Sequence, residues 1–264
     1  LPAFVNDKTL VIAASYSGNT EETLAALDAA LEKTKRILVL TSGGLVELRA
    51  NDRQLATIKL PAGLPPRASV MYFFVGLVRF LERTGYLTVK LPAAEIVSIL
   101  TLGAKRYGQA VATNINPAKQ LACSLEQSLP IIVGAEHLGP VTTRWKNEIN
   151  ENGKQLCYPD RIPELLHNTL LGLEFPSVAT QSIRFVFLES KLYHERNTKR
   201  FSLFKPMLVE RGYQFETSSF DHGTRLGEML QAVQFGSFVS AYLGVLHQRD
   251  PYDFSQIQAF KAAL

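Results

Sequence analysis

Apolar positions along the chain fall into short continuous runs that alternate with stretches of helical period. Residues 9–14 (Thr-Leu-Val-Ile-Ala-Ala) and 36–41 (Arg-Ile-Leu-Val-Leu-Thr) are runs of the first kind, rich in β-branched side chains, and they read as parallel strands buried on both faces. A third strand is expected over 54–60 and a short helix over 46–50. Between the first two strands, Leu24, Leu27 and Leu31 recur at helical spacing among four alanines, with Asp28, Glu32 and Lys33 on the polar side. After Gly63-Leu-Pro-Pro66 a long helix is expected over 67–84, with Pro66 as its first residue and Gly85 as its stop.

Residues 93–112 and 117–127 read as two bridging helices, broken at Asn114-Ile-Asn-Pro117. A second cycle opens at Leu129, with a strand over 130–134, a helix through 142–151, and strands over 155–158, 183–188 and 214–218. A helix over 202–211 and a long apolar helix over 224–246 complete it, and the charge-rich 191–200 stretch reads as a solvated loop or helix end. This alternation predicts an α/β fold of two doubly wound lobes, parallel sheets flanked by helices, divided as 1–113 and 114–264.

Composition narrows the class. The chain has 264 residues, 46% hydrophobic and 20% charged, which suits one large or two medium globular domains. The longest apolar stretch by this reading, 69–81, is interrupted by Arg79 and too short for a bilayer, and residues 1–9 lack a signal pattern. The expectation is therefore no membrane partner and a cytoplasmic location. Cys123 and Cys157 make neither a disulfide framework nor a metal-ligand spacing and read as reduced packing residues. A net charge of +4 suits an anionic ligand, but the basic residues are scattered and no nucleic-acid motif accompanies them. Because the chain starts at Leu1 without methionine, eight residues before the first strand, the first lobe is expected to be truncated at its N-terminus.

Candidate chemistry begins at Ser15-Tyr-Ser-Gly-Asn-Thr-Glu-Glu-Thr23, where a strand turns into a helix. A helix N-terminus leaves N–H groups unpaired and carries positive dipole, so Ser15, Ser17 and Thr20 could complete a cradle for phosphate. The same residues also suit ordinary N-terminal capping. Arg67 falls in the first turn of its helix, where the dipole disfavours a cation, so it is either a solvated side chain or one aimed at an anionic ligand. In Trp145-Lys-Asn-Glu-Ile-Asn-Glu-Asn-Gly-Lys154, Glu148 and Glu151 stand three apart on one helix face in an amide-rich setting that suits a polyhydroxylic ligand. Both could also be simply solvated. His167 follows sixteen residues after Glu151, and Pro159 and Pro163 prevent one helix from spanning them, so the two meet only by chain reversal or across a subunit interface. His137, His194, His222 and His247 read as structural or exposed, and none of the five histidines forms a metal-ligand motif.

The hydroxyl run after an apolar strand closely resembles the phosphosugar-binding motif of sugar isomerase (SIS) domains, and Thr41-Ser-Gly-Gly44 after the next strand fits the same family. Asn150-Glu-Asn-Gly-Lys154, Leu166-His-Asn168 and Asp250-Pro251 leading to Lys261 resemble the bifunctional phosphoglucose/phosphomannose isomerases of that superfamily, from about Thr9 to the C-terminus. The resemblance implies interconversion of glucose 6-phosphate and fructose 6-phosphate, with mannose 6-phosphate as a further substrate, and no cofactor or metal. It places phosphate binding on Ser15, Ser17 and Thr20, the proton-transfer base on Glu151, ring opening on His167 contributed by the neighbouring subunit of a homodimer, and Arg67 and Lys261 in the site. Tyr252 and Phe254 are bulkier than the family's usual residues there, which bears on the mannose-phosphate activity. Two other readings share these features. One is a non-catalytic SIS phosphosugar-binding regulator, which keeps the hydroxyl motif and loses the base. The other is the isomerase domain of a glucosamine-phosphate synthase, although no glutamine-hydrolysing domain with a reactive cysteine accompanies it in this chain.

Overall fold

The computed structural model describes residues 1–263, which divide by contact into a first unit, Leu1–Leu91, and a second that begins at Pro92. In the first unit, β1 (Val11–Ala14), β2 (Ile37–Thr41) and β3 (Ala56–Lys59) form a parallel sheet in sequence order, linked by α1 (Glu21–Leu31) and α2 (Gly44–Asp52). β2 is buried throughout, and its alternating side chains serve both faces of the sheet. Ile37 and Val39 pack with Leu24, Leu27 and Ala30 of α1 and with Val46 and Ala50 of α2. On the other face Leu40 meets α3 (Val70–Arg83), where a Cβ on Gly76 would stand 3.7 Å from the Leu40 side chain and 3.2 Å from that of Ile58. Pro66 opens a 3₁₀ turn, Pro66–Ser69, before α3 starts, because the Ser69 hydroxyl donates back to the Pro66 carbonyl at 2.6 Å and tightens the turn.

The second unit contains α4 (Ala93–Tyr107), α5 (Pro117–Leu125), β4 (Leu129–Gly134), α6 (Gly139–Glu151) and β5 (Tyr158–Arg161). Two single turns, α7 (Thr169–Gly172) and α8 (Ala179–Ser182), lead to β6 (Ile183–Ser190), α9 (Glu195–Glu210), β7 (Gln214–Phe220), α10 (Arg225–Leu246) and α11 (Ser255–Ala262). Its four strands are parallel in the order β5-β4-β6-β7, so the winding reverses at β4. The three described strands of the first sheet show no such reversal. α4 groups with the second unit rather than the first, because it packs along α10, where Gln234 Nε2 donates to the Leu100 carbonyl at 2.7 Å.

Phe185 and Phe187 of β6 pack edge-on against Phe204 of α9, and α10 packs against α4, α5 and α6. Trp145 seats its indole on α10, donating from Nε1 to the Ala232 carbonyl at 2.8 Å, and Gly236 permits this approach, since a Cβ there would lie 2.3 Å from Nε1. α10 is long and apolar enough to cross a membrane by length and composition, a longer apolar run than 69–81. It is nevertheless a core helix, with Leu230, Ala232, Phe235, Val239 and Leu243 buried.

Further local expectations shift, and the helix expected over 93–112 ends at Tyr107. The helix expected over 202–211 is α9 and begins earlier, at Glu195, so the charge-rich stretch includes its solvated end, and the apolar face (Phe201, Phe204, Leu208) begins only after two polar turns. That start is held by Glu136, whose carboxylate accepts the His194 N–H at 2.7 Å and the Asn197 amide at 2.8 Å. The strand expected over 155–158 lies at Tyr158–Arg161, an edge strand that tolerates Pro159. Cys157 is buried, which pushes its thiol pKa up to about 12, whereas Cys123 is exposed rather than packed.

Candidate active site

The hydroxyl turn of the first unit is built by backbone contact between two loops. Gly18 has φ of +69°, and a Cβ on it would stand 1.7 Å from the Gly43 carbonyl oxygen, so only glycine fits where the loop after β1 crosses the loop after β2. Val46 N–H donates to the Gly18 carbonyl at 2.9 Å, Ser42 N–H to the Tyr16 carbonyl at 3.0 Å, and Leu45 N–H to Asn19 Oδ1 at 3.0 Å. Thr41-Ser-Gly-Gly44 is thus the clasp that shapes the first loop.

Within that clasp Ser15 is buried, and its Oγ accepts the Gly18 N–H at 3.1 Å and shares a 2.8 Å hydrogen bond with Thr20 Oγ1. Thr20 occupies the N-cap position of α1 without a side-chain capping bond. Its hydroxyl is turned to Ser15 and leaves the first-turn N–H groups uncapped by it, which separates this arrangement from ordinary capping. Ser17 is exposed, and its Oγ accepts a long 3.3 Å bond from Asn19 N–H. Tyr16 ties a third segment to this edge, since its hydroxyl donates to the Pro61 carbonyl at 2.8 Å and accepts the Leu64 N–H at 2.8 Å. The segment so held runs directly into half-buried Arg67. Three hydroxyls, the positive end of a helix and the arginine turn therefore belong to the C-terminal edge of one parallel sheet, an arrangement suited to a phosphate ester.

In the second unit α6 runs antiparallel to β4, starting beside Arg161 at the C-terminal edge of the sheet and ending at Glu151 by its N-terminal edge. Glu148 and Glu151 have different surroundings. Glu148 is buried, with Arg144 Nη2 at 2.6 Å from Oε1 and the Ser237 hydroxyl donating at 3.0 and 2.8 Å. Burial holds its pKa above the usual carboxylate range, Arg144 and Ser237 oppose the rise, and the charge of Glu151 adds to it. Glu151 is half-buried at the helix end, where the chain is pinned from several sides. Asn152 donates to Ser240 Oγ at 2.9 Å, the His247 ring bonds the Gly153 carbonyl at 2.7 Å, and Lys154 Nζ donates to the Asp253 carbonyl at 2.8 Å. The Lys154 contact brings the start of the C-terminal segment to the same edge as Glu151. That segment continues into α11, where Lys261 is exposed.

His167 lies elsewhere. It follows β5 and closes the turn Glu164–Leu166, exposed at the C-terminal edge of the sheet, whereas Glu151 sits at the opposite edge, one α6 length away. Thirteen helical residues span roughly 20 Å. Sequence reasoning named the pinned residue but not its supports. Ser237, Ser240 and His247 lie about ninety positions away on or just after α10, and no local signal marks them. Among the described residues, no group of three or more His, Cys, Asp or Glu closes on a metal-binding geometry.

Two parallel α/β units, one with a hydroxyl clasp and one with a pinned carboxylate helix, define the class of SIS-type proteins. Residues 114–264 match the model of the bacterial phospho-glucose isomerase C-terminal SIS domain. Over its full length the chain is 36% identical to a bifunctional phosphoglucose/phosphomannose isomerase of Caldicellulosiruptor bescii, covering 78% of that protein. It is 30% identical to one from Thermoplasma acidophilum, over 99% of this chain and 78% of the relative. Among solved structures, a glucose-6-phosphate isomerase like protein from Thermus thermophilus shares the fold, with a TM-score of 0.64 at 18% identity over 100% of this chain and 90% of that one. The chain belongs to the bifunctional phosphoglucose/phosphomannose isomerase family.

Proposed function

We propose that this chain is a phosphosugar aldose-ketose isomerase that interconverts glucose 6-phosphate and fructose 6-phosphate and also accepts mannose 6-phosphate. The observation that carries this reading is the full-length similarity to proteins bearing that name, together with a motif carboxylate held at a pinned helix end. Ser15, Ser17 and Thr20 hold the phosphate. Glu151 takes the C2 proton of the open-chain aldose and returns it to C1, through a cis-enediolate. Arg67 stabilises the charge that builds on the enediolate oxygens, and His167 and Lys261 serve ring opening.

The active form is a homodimer in which His167 comes from the partner subunit. The placement of His167 and Glu151 at opposite edges of one sheet supports this reading, because a second copy offers a route for an imidazole to reach Glu151. Two unpaired cysteines suit a cytoplasmic setting. Assay of the purified protein with glucose 6-phosphate and mannose 6-phosphate tests the function. Turnover of both is expected, and binding without turnover of either would favour a phosphosugar sensor.

A further inference from the structure

The proposed chemistry draws on the N-terminal edge of the second sheet, through Glu151, and leaves unused the crevice at the C-terminal ends of β6 and β7. In open α/β sheets that end of the strands is where ligands bind, above all beside the strand at which the winding reverses. Here the winding reverses at β4, and β6 pairs with it directly. An open cleft of about 920 Å³ lies over the ends of β6 and β7 and the first turns of α9, within the size range of small-molecule sites. It is also separated from His167, since β4 stands between β5 and β6.

The cleft carries the chemistry of a phosphate ester site. Arg106, Lys191 and Lys205 supply three cations against two carboxylates, Glu189 and Asp221. Lys205 is fixed, with Nζ 2.6 Å from Glu189 and over the rings of Phe187 and Phe215 at 5.4 and 5.6 Å. Lys191 is loosely paired with Asp221 at 3.8 Å, both side chains well exposed, so it can exchange that partner for a ligand anion. Arg106 rests on the Tyr107 ring at 5.8 Å and, among the described residues, has no carboxylate partner. The hydroxyls of Thr198 and Ser219 and the rings of Phe201 and Phe220 complete walls that suit the hydroxyl and C–H faces of a polyol.

Behind the cleft wall at Ser190 lies a buried polar group. Ser190, on the cleft wall, donates to Glu228, which also bonds His137 Nε2 at 2.7 Å, and all three side chains are buried at the β4–β6 ends. His137 Nδ1 and Glu228 Oε1 are buried without a hydrogen-bond partner, an exception to the rule that buried polar atoms are paired.

We propose that this cleft is a second ligand site, distinct from the site of isomerisation, that takes a small phosphorylated polyol as an effector. Arg106 and Lys191 bind the phosphate, while the Lys205–Glu189 pair and Ser219 bind hydroxyls. The test is calorimetric titration with sorbitol 6-phosphate, an open-chain alcohol that cannot be isomerised. Two sites per chain are expected in the parent protein. Arg106→Ala should weaken one of them at least tenfold and Ser219→Asp should abolish it. Both positions are exposed, so folding and basal turnover should be unchanged. A titration in which no site responds to these two substitutions overturns the proposal. Ser17→Ala reports separately on the hydroxyl turn, and its failure to alter either site would count against the proposed function while leaving the cleft in place.

Discussion

The Ser237 hydroxyl donates to both carboxylate oxygens of Glu148, at 3.0 and 2.8 Å, and so ties α10 to α6 one turn before Glu151. With Arg144 also closed on it, Glu148 is a buried brace between the two helices, which supports the proposed assignment of proton transfer to Glu151. Burial raises the Glu148 pKa above its ordinary 4.5, so the folded state holds this proton to higher pH than the unfolded chain does. The stabilisation is therefore complete below pH 4.5 and is lost as pH rises through the raised folded value. Glu148→Gln should flatten this decline in urea-unfolding free energy measured from acid to neutral pH. Equal slopes in parent and variant would contradict the assignment.

Gly18→Ala should cost roughly 2–4 kcal/mol, because it combines a left-handed backbone with a clash against the Gly43 carbonyl. A urea midpoint equal to that of the parent would mean that the two loops do not press together as described.

Tyr16→Phe removes both bonds that hold the segment before Arg67 and leaves the Leu64 N–H without its partner. The expected loss is about 1–2 kcal/mol in unfolding free energy, accompanied by a lower kcat. Unchanged values in both measurements would show that the tether is dispensable.

The strands and long helices were legible because their apolar runs are simple. β2 is a continuous apolar run buried on both faces, and α1 shows its core face at Leu24, Leu27 and Ala30. The hydroxyl turn was legible because glycine and hydroxyl positions are fixed by a local crossing of two loops. What remained hidden was non-local. Glu148 and Glu151 look alike in sequence, and the burial of Glu148 and its bond to Ser237 come from a distant helix, while α9 began early because Glu136 captures its first turn. β5 was displaced since an edge strand needs no continuous apolar run. The division of the chain shifted because α4 carries a face for α10 that its own periodicity does not assign to either lobe.

Ser17→Ala should weaken binding of fructose 6-phosphate about tenfold or more, the scale of one hydrogen bond to a charged group. Ser17 is exposed and makes one long internal bond, so stability should hardly change. Affinity equal to the parent's in calorimetry would remove the phosphate role from this turn.

The proposed proton transfer by Glu151 is tested most directly by solvent deuterium incorporation at C1 of fructose 6-phosphate. Glu151→Gln should bind fructose 6-phosphate with near-parental affinity and incorporate no deuterium, whereas exchange at the parental rate would place the base elsewhere.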